Sequence, residues 1–226
     1  MATVPNCDQS IVEIAKVVDY LPSRSHPIGR AKAQFFMQER QAFLNEMVQH
    51  IARLIRKATR LGLTACVRPN GSTDIAWEGI RVQVTEETAA AVNKALTGTD
   101  CAPIAAGWHA SIVAMFPTVQ FVDYTKNPFR MRRALPANYH LTFSRAENNE
   151  AEALAVLRSG KNVAVVFAGG LPETFHGFRV VDGDKHDLRH LDPRGNASTG
   201  GYVIGLTPKG NKAKRDTSGF VYRQAA

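Results

Sequence analysis

Four apolar, strand-like runs in this chain each end in a dense polar cluster. Leu63–Val67 runs into Arg68, Asn70, Gly71, Ser72, Thr73 and Asp74, and Val119–Val122 runs into Asp123, Tyr124, Thr125, Lys126 and Asn127. Tyr139–Phe143 leads to Ser144, Arg145, Glu147, Asn148, Asn149 and Glu150, and Arg179–Val181 leads to the charged stretch Asp182–Asp192. In α/β proteins, ligands bind outside the carboxyl ends of parallel strands, where side chains from several loops converge. The pattern predicts where a site lies without naming its chemistry.

Helical periodicity is clearest from Gly29 to about Arg60. Phe36, Phe43, Met47, Ile51, Leu54 and Ala58 recur at three-, four- and seven-residue spacings and make one apolar stripe. Gly62 follows as a plausible cap. The last turns carry Arg53, Arg56, Lys57 and Arg60. Cations there either complement the helix dipole or form part of a nucleic-acid surface. Thr88–Leu96, His109–Phe116 and Asn149–Leu157 read as shorter helices, and Asn162–Phe167 as a further strand. Beyond Gly169 and Gly170, strand-like segments (Phe178–Val181, Tyr202–Leu206, Gly219–Arg223) alternate with glycine-rich and charged turns.

Strand, helix and strand alternate over 119–167, which predicts a parallel sheet, because parallel strands need crossover connections. The fold class expected is α/β: a single domain with a mostly parallel or partial-barrel sheet flanked by helices and a strand-rich C-terminal part. Residues 1–28 are expected to be irregular and 29–226 to form that domain. From about residue 170 the strands either make an antiparallel subdomain or close the same sheet.

Composition narrows the classes. In the 226 residues, 28 basic against 20 acidic residues leave a net charge of +8. That excess favours an anionic partner, whether nucleic acid or an acidic protein surface. Three scattered cysteines (Cys7, Cys66, Cys101), without a CxxC pair, exclude a disulfide framework and a zinc motif. Reduced thiols and a cytoplasmic location are expected. No apolar run approaches the roughly 18 residues of a membrane span, so none is expected.

Three clusters carry candidate chemistry. Arg68, Asn70 and Asp74 sit in a stretch that reads either as a hydrogen-bonded turn or as a pocket for a polar ligand. Between Lys126 and Arg145 lie Lys126, Arg130, Arg132, Arg133 and Arg145, with no acid among them and with Phe129, Tyr139, His140 and Phe143 interleaved. Cations beside aromatics suit phosphate contact with base stacking. Asp182–Asp192 holds two histidines and four aspartates. That set suits a hard cation, acid–base chemistry or an ion-paired turn, although its spacing does not fit a calcium-binding loop. Lys209, Lys212, Lys214 and Arg215 read as a basic hairpin loop. No phosphate-binding glycine loop, nucleophile elbow or cofactor motif occurs, so no cofactor or metal is expected.

Three motifs together resemble the phage gene product 88 family. They are Arg68-x-Asn-Gly-Ser-Thr-Asp-Ile-x-Trp-Glu78, Phe116-Pro-x-Val-Gln-Phe-x-Asp-Tyr-Thr-Lys126 and Leu135-Pro-x-Asn-Tyr-His-Leu-Thr-Phe-Ser-Arg145. Val181-Asp-Gly-Asp-x-x-Asp-Leu-Arg-x-Leu-Asp-Pro193 adds a fourth. The resemblance covers roughly residues 30–223. It implies an α/β, partly barrel-like fold carried by phages and plasmids, with a distant similarity to radical-SAM barrels. The chain has no Cys-x₃-Cys-x₂-Cys, so iron–sulfur radical chemistry is not expected.

With that resemblance, the expected function is a plasmid- or phage-borne accessory protein that binds and inhibits a protein partner. The conjugation machinery of a competing plasmid (fertility inhibition) or a host factor would be such a partner. One alternative is binding of DNA or RNA through Lys126–Arg145 and Lys209–Arg215. Another is a metal-assisted phosphoryl-transfer or hydrolytic enzyme using Asp74, Asp123, Asp182, Asp184 and His186.

Overall fold

The structure is a computed structural model and describes residues 34–71 and 73–223, with the Lys212 side chain left out. The irregular segment expected over 1–28, Cys7, the start of the first helix at Gly29 and Ser72 lie outside the described residues. An eight-stranded sheet is built from β1 (Cys66–Val67), β4 (Gln120–Thr125), β5 (Tyr139–Ser144), β6 (Val163–Phe167), β7 (Thr174–Phe175), β8 (Phe178–Asp182), β9 (Val203–Leu206) and β10 (Val221–Tyr222). Its order is β1-β4-β5-β6-β9-β8-β7, with β10 also on β6. The path is open, so the sheet is not a closed barrel. β2 (Val82–Val84) and β3 (Gly107–His109) form a separate antiparallel pair.

The expected mostly parallel α/β sheet is present. β1 with β4, β5 with β6, β6 with β9, β9 with β8, and β6 with β10 all run parallel. The C-terminal strands therefore extend the same sheet. The β7–β8 hairpin of this sheet is antiparallel, turning at His176 (φ 48°) and Gly177 (φ 80°). Two positive-φ central residues are what a type I′ hairpin turn requires.

Contacts divide the chain into two compact units, and the division falls inside β4 and β5 rather than at a linker. The first holds the described chain to Phe121 together with Leu135–Tyr139; the second holds Val122–Ala134 and the described chain from His140. In the first unit, α1 (Arg40–Arg60) buries the predicted stripe, including Phe43, Met47, Ile51 and Leu54. The expected single helix is broken: residues 34–38 are helical, and Glu39 leaves helical geometry at φ −125°, ψ 52°. There, edge-to-face packing of Phe36 on Phe43 and Trp77 sets the path of the chain. α2 (Glu86–Leu96) starts at the Thr85 cap, which accepts a bond from Thr88 N, and its first turn carries Glu86 and Glu87.

Several expected boundaries moved. Leu63 and Thr64 are exposed, so only Cys66–Val67 pairs as a strand. The helix expected over His109–Phe116 is strand β3 followed by the short α3 (Ile112–Met115). Ser111 starts it, its hydroxyl accepting from Ala114 N. β2 has no strong pattern in the sequence. Its outer edge is held by α1, because the Asn45 amide donates to Gln83 O (2.7 Å) and accepts from Thr85 N (3.1 Å). A buried side-chain amide thus does the work of a neighbouring strand.

In the second unit α4 (Pro128–Arg132) occupies part of the expected loop, capped by Asn127 with Pro128 at its first position. α5 (Glu150–Arg158) makes the crossover between β5 and β6, and α6 (Gly210–Lys214) replaces the expected basic hairpin loop. Phe143, Leu157, Val163, Val165, Val203 and Ile204 are wholly buried there.

Asn70 is the clearest local brace in the first unit. Its Oδ1 accepts from Thr73 Oγ1 (2.6 Å), Ile75 N (3.0 Å) and Trp77 Nε1 (3.0 Å), and its Nδ2 donates to Ile75 O (2.9 Å). Replacing it strands a buried indole N–H and a half-buried amide. Asn70→Ala is expected to lower stability in urea unfolding by about 3 kcal/mol. A loss below about 1 kcal/mol would contradict this role.

Candidate functional site

The first polar cluster folds onto itself. Asn70 is buried, Arg68 Nε lies 3.4 Å from Asn70 O, and Asp74 is exposed. The motif that reads as either turn or pocket is, in its geometry, a turn closed around Trp77.

In the second unit the strand ends gather most of the remaining candidates. Asp123 lies wholly buried within β4, and Lys126 places its ammonium 5.2 Å from the Phe220 ring centre. Arg145 follows β5 and is buried. One arm bonds the carbonyl of Gly219 and reaches Phe220 O (3.3 Å), and the other pairs with Glu150 at 2.9 Å. It also stands over Tyr222. His176 meets the other Glu150 oxygen at 3.0 Å. The Arg145 hydrogen bond holds the Glu150 carboxyl below the usual range. Arg145 therefore anchors the C-terminal strand β10 to the end of β5.

The acidic cluster is committed in the same way. Asp182 Oδ1 accepts from Asp184 N, and Asp184 Oδ2 accepts from Thr207 N (2.8 Å) and Thr207 Oγ1 (2.7 Å). Lys209 pairs with Asp184 at 3.0 Å. Burial alone would raise the Asp184 carboxyl, but these Thr207 and Lys209 contacts hold it below the usual range. Among the described residues, no group of three or more His, Cys, Asp or Glu side chains is placed to hold a metal ion.

Beneath this loop Arg189 has no exposed surface. It donates to the carbonyls of Gly183 (2.9 Å) and His186, and its Nε lies 3.4 Å from Asp192. Gly183 permits this approach, since a Cβ there would stand 2.7 Å from Arg189 Nη1. Burial raises the Asp192 carboxyl, while Arg189 opposes the rise. Asn162 donates to Pro193 O (2.9 Å) and accepts from Tyr202 N (3.0 Å), which fastens the segment to the sheet.

Of the cations predicted to face an outside partner, Arg130 and Arg145 are buried and Lys209 is paired, whereas Lys126, Arg132, Arg133, Lys214 and Arg215 are exposed. Lys212 lies in α6. The cationic interval is therefore split, because two of its arginines serve the interior.

One feature of the second unit is missed by the sequence reading. A groove of about 310 Å³ runs between α4 and α5, lined mainly by Pro128, Met131, Arg132, Ala151, Ala155 and Val156. Beside it Phe129 is 67% exposed, with the Arg132 guanidinium 5.4 Å from its ring centre. The basic interval masked the signal that an apolar stripe on α5 faces a short helix.

The fold defines a mixed α/β protein with an open, mostly parallel sheet. The Gene product 88 family model matches residues 28–224, and the chain belongs to that family. No curated protein and no solved structure matches it. Among the described residues no helix is long and apolar enough to cross a membrane.

His140, on β5, gives the second unit a pH signature. Burial, reinforced by Arg194, His190 and Arg189, lowers its pKa from 6.5 to about 4. Burial lowers His190 in the same direction. The unfolded chain binds these protons first, so stability is full above pH 6.5 and falls as the pH drops toward 4. For His140 the loss is about 3 kcal/mol. Urea unfolding of His140→Gln between pH 6.5 and 4 is expected to show a shallower decline than the wild type. Parallel declines would contradict the burial of a neutral imidazole.

Proposed function

We propose that this protein is a plasmid- or phage-borne accessory protein that binds and inhibits a protein partner, such as the conjugation machinery of a competing plasmid. The observation that carries the reading is the exposed Phe129–Arg132 pair beside the apolar groove of α4 and α5. Aromatic and arginine side chains next to a fillable pocket are the composition of protein-interface hot spots.

Charge selects the occupant. Arg132 and Arg133 are exposed at this edge, Glu152 is the acid in the groove, and the whole chain carries +8. An acidic protein segment with an apolar side to fill the groove is the complementary partner. Family membership supports a mobile-element setting. The candidate acids support binding over catalysis: Asp184 is occupied by Thr207 and Lys209, and Asp123 is buried within a strand.

The test is the transfer frequency of a competing conjugative plasmid in cells expressing the protein. Wild type is expected to lower transfer, and a folded Phe129→Ala/Arg132→Glu variant to restore it by about tenfold or more, the size of a lost hot spot. Inhibition equal to wild type in that variant, or none by wild type, would overturn the reading.

A further inference from the structure

A second cavity, within the first unit, has a different chemistry. It encloses about 450 Å³ between the last two turns of α1 and the loop after α2. Arg53, Arg56, Lys57 and Arg60 line one wall, and Thr97, Gly98 and Thr99 line the other. Positions 53, 56, 57 and 60 follow helical spacing and share one face, where like charges repel by a few tenths of a kcal/mol per pair. Among the described residues no acid lines the cavity.

Two structural explanations for these cations are insufficient. Helix C-termini attract cations, but each end carries only about half a negative charge. Arg53, Arg56 and Arg60 form no ion pair among the described residues, and Arg53 bonds only the neutral Gln49. Three arginines against two helix ends leave about two positive charges unbalanced. Nor are these cations needed to cap the carbonyls. Leu61 N and Leu63 N donate to Lys57 O and Ala58 O, Gly62 N donates to Thr59 O, and Thr99 N and Oγ1 bond Leu96 O. Thr97 Oγ1 donates to Asn93 O. The donors left for a ligand are therefore the guanidinium groups.

We propose that this cavity is a phosphate-binding site that takes two or three linked phosphate groups, from either a free polyphosphate or a nucleic-acid strand. Arginine forks match phosphate oxygens in pairs, and arginines three and four positions apart on one helix face present several forks to one wall of the cavity. Among the described residues no aromatic side chain lines the cavity, so recognition is of phosphate without sequence. The site shares no lining residue with the groove proposed for the protein partner, and either can fail without the other.

The experiment measures binding of two probes to the full chain: inorganic triphosphate, and a mixed-sequence 12-mer single-stranded oligonucleotide. The folded Arg56→Glu/Arg60→Glu variant is compared with Arg158→Glu/Arg179→Glu, the same charge change on exposed arginines of the second unit. Expected is binding of at least one probe, weakened about tenfold or more in the first variant and less than about threefold in the second. Strand binding should weaken with salt with a slope of about −2, for three phosphate contacts at roughly 0.7 each. Triphosphate binding alone assigns the site to free polyphosphates, and strand binding alone to nucleic acid. Both results support the site. No binding of either probe, or equal loss in the two variants, overturns it.

Discussion

A sheet of short strands leaves much of its backbone in loops, and every buried N–H and C=O of those loops must find a partner. In this protein polar side chains supply the partners. Asn70 closes the loop around Trp77, and Asn45 holds the free edge of β2. Asn138 donates to the carbonyls of Val113, Phe116 and Val119, and Asn162 joins Pro193 to Tyr202. Arg189 carries the same task furthest, because a full charge is held without exposed surface by two carbonyls and Asp192. A buried cation is costly unless it is paired, and the Asp182–Asp192 loop folds around Arg189 to supply Asp192 and two carbonyls, while Nε and Nη1 make no hydrogen bond.

That constraint reassigns the residues that looked most like chemistry. Polar residues clustered at strand ends are a fair sign of an α/β ligand face, yet here many of them brace backbone. Arg145 ties β10 to β5, and Asp184 ties β8 to the residue after β9. What remains available for binding is on the outside: Phe129 and Arg132 over the α4–α5 groove, and the arginine-lined cavity at the end of α1. The polar motifs at these strand ends are in large part the instructions for the fold.

The sheet was legible because period and composition change together at β4, β5 and β6, where buried β-branched and aromatic runs are bounded by turns. The helix stripe from Phe43 to Ala58 was legible for the same reason. β2 was not, since three residues alternating in burial give too little pattern. His109 read as the start of a helix because one turn of apolar residues follows it, and Ser111 restarts the chain as a cap only in three dimensions. The candidate sites were half legible. Charge counts placed cations in Lys126–Arg145, but no count separates Arg132, which faces out, from Arg130, which is buried. The basic face of α1 was visible, while the cavity needed the loop after α2 to complete it.

The central claim is that the acidic strand-end cluster holds the fold while the proposed binding surfaces lie on other residues. Asp184→Asn tests it most directly, with the unfolding midpoint and the inhibition of plasmid transfer per folded molecule measured on the same variant. The account predicts a lowered midpoint, from the weakened Thr207 and Lys209 contacts, with inhibition unchanged. An unchanged midpoint with inhibition abolished would contradict it, and would make Asp184 part of a working site.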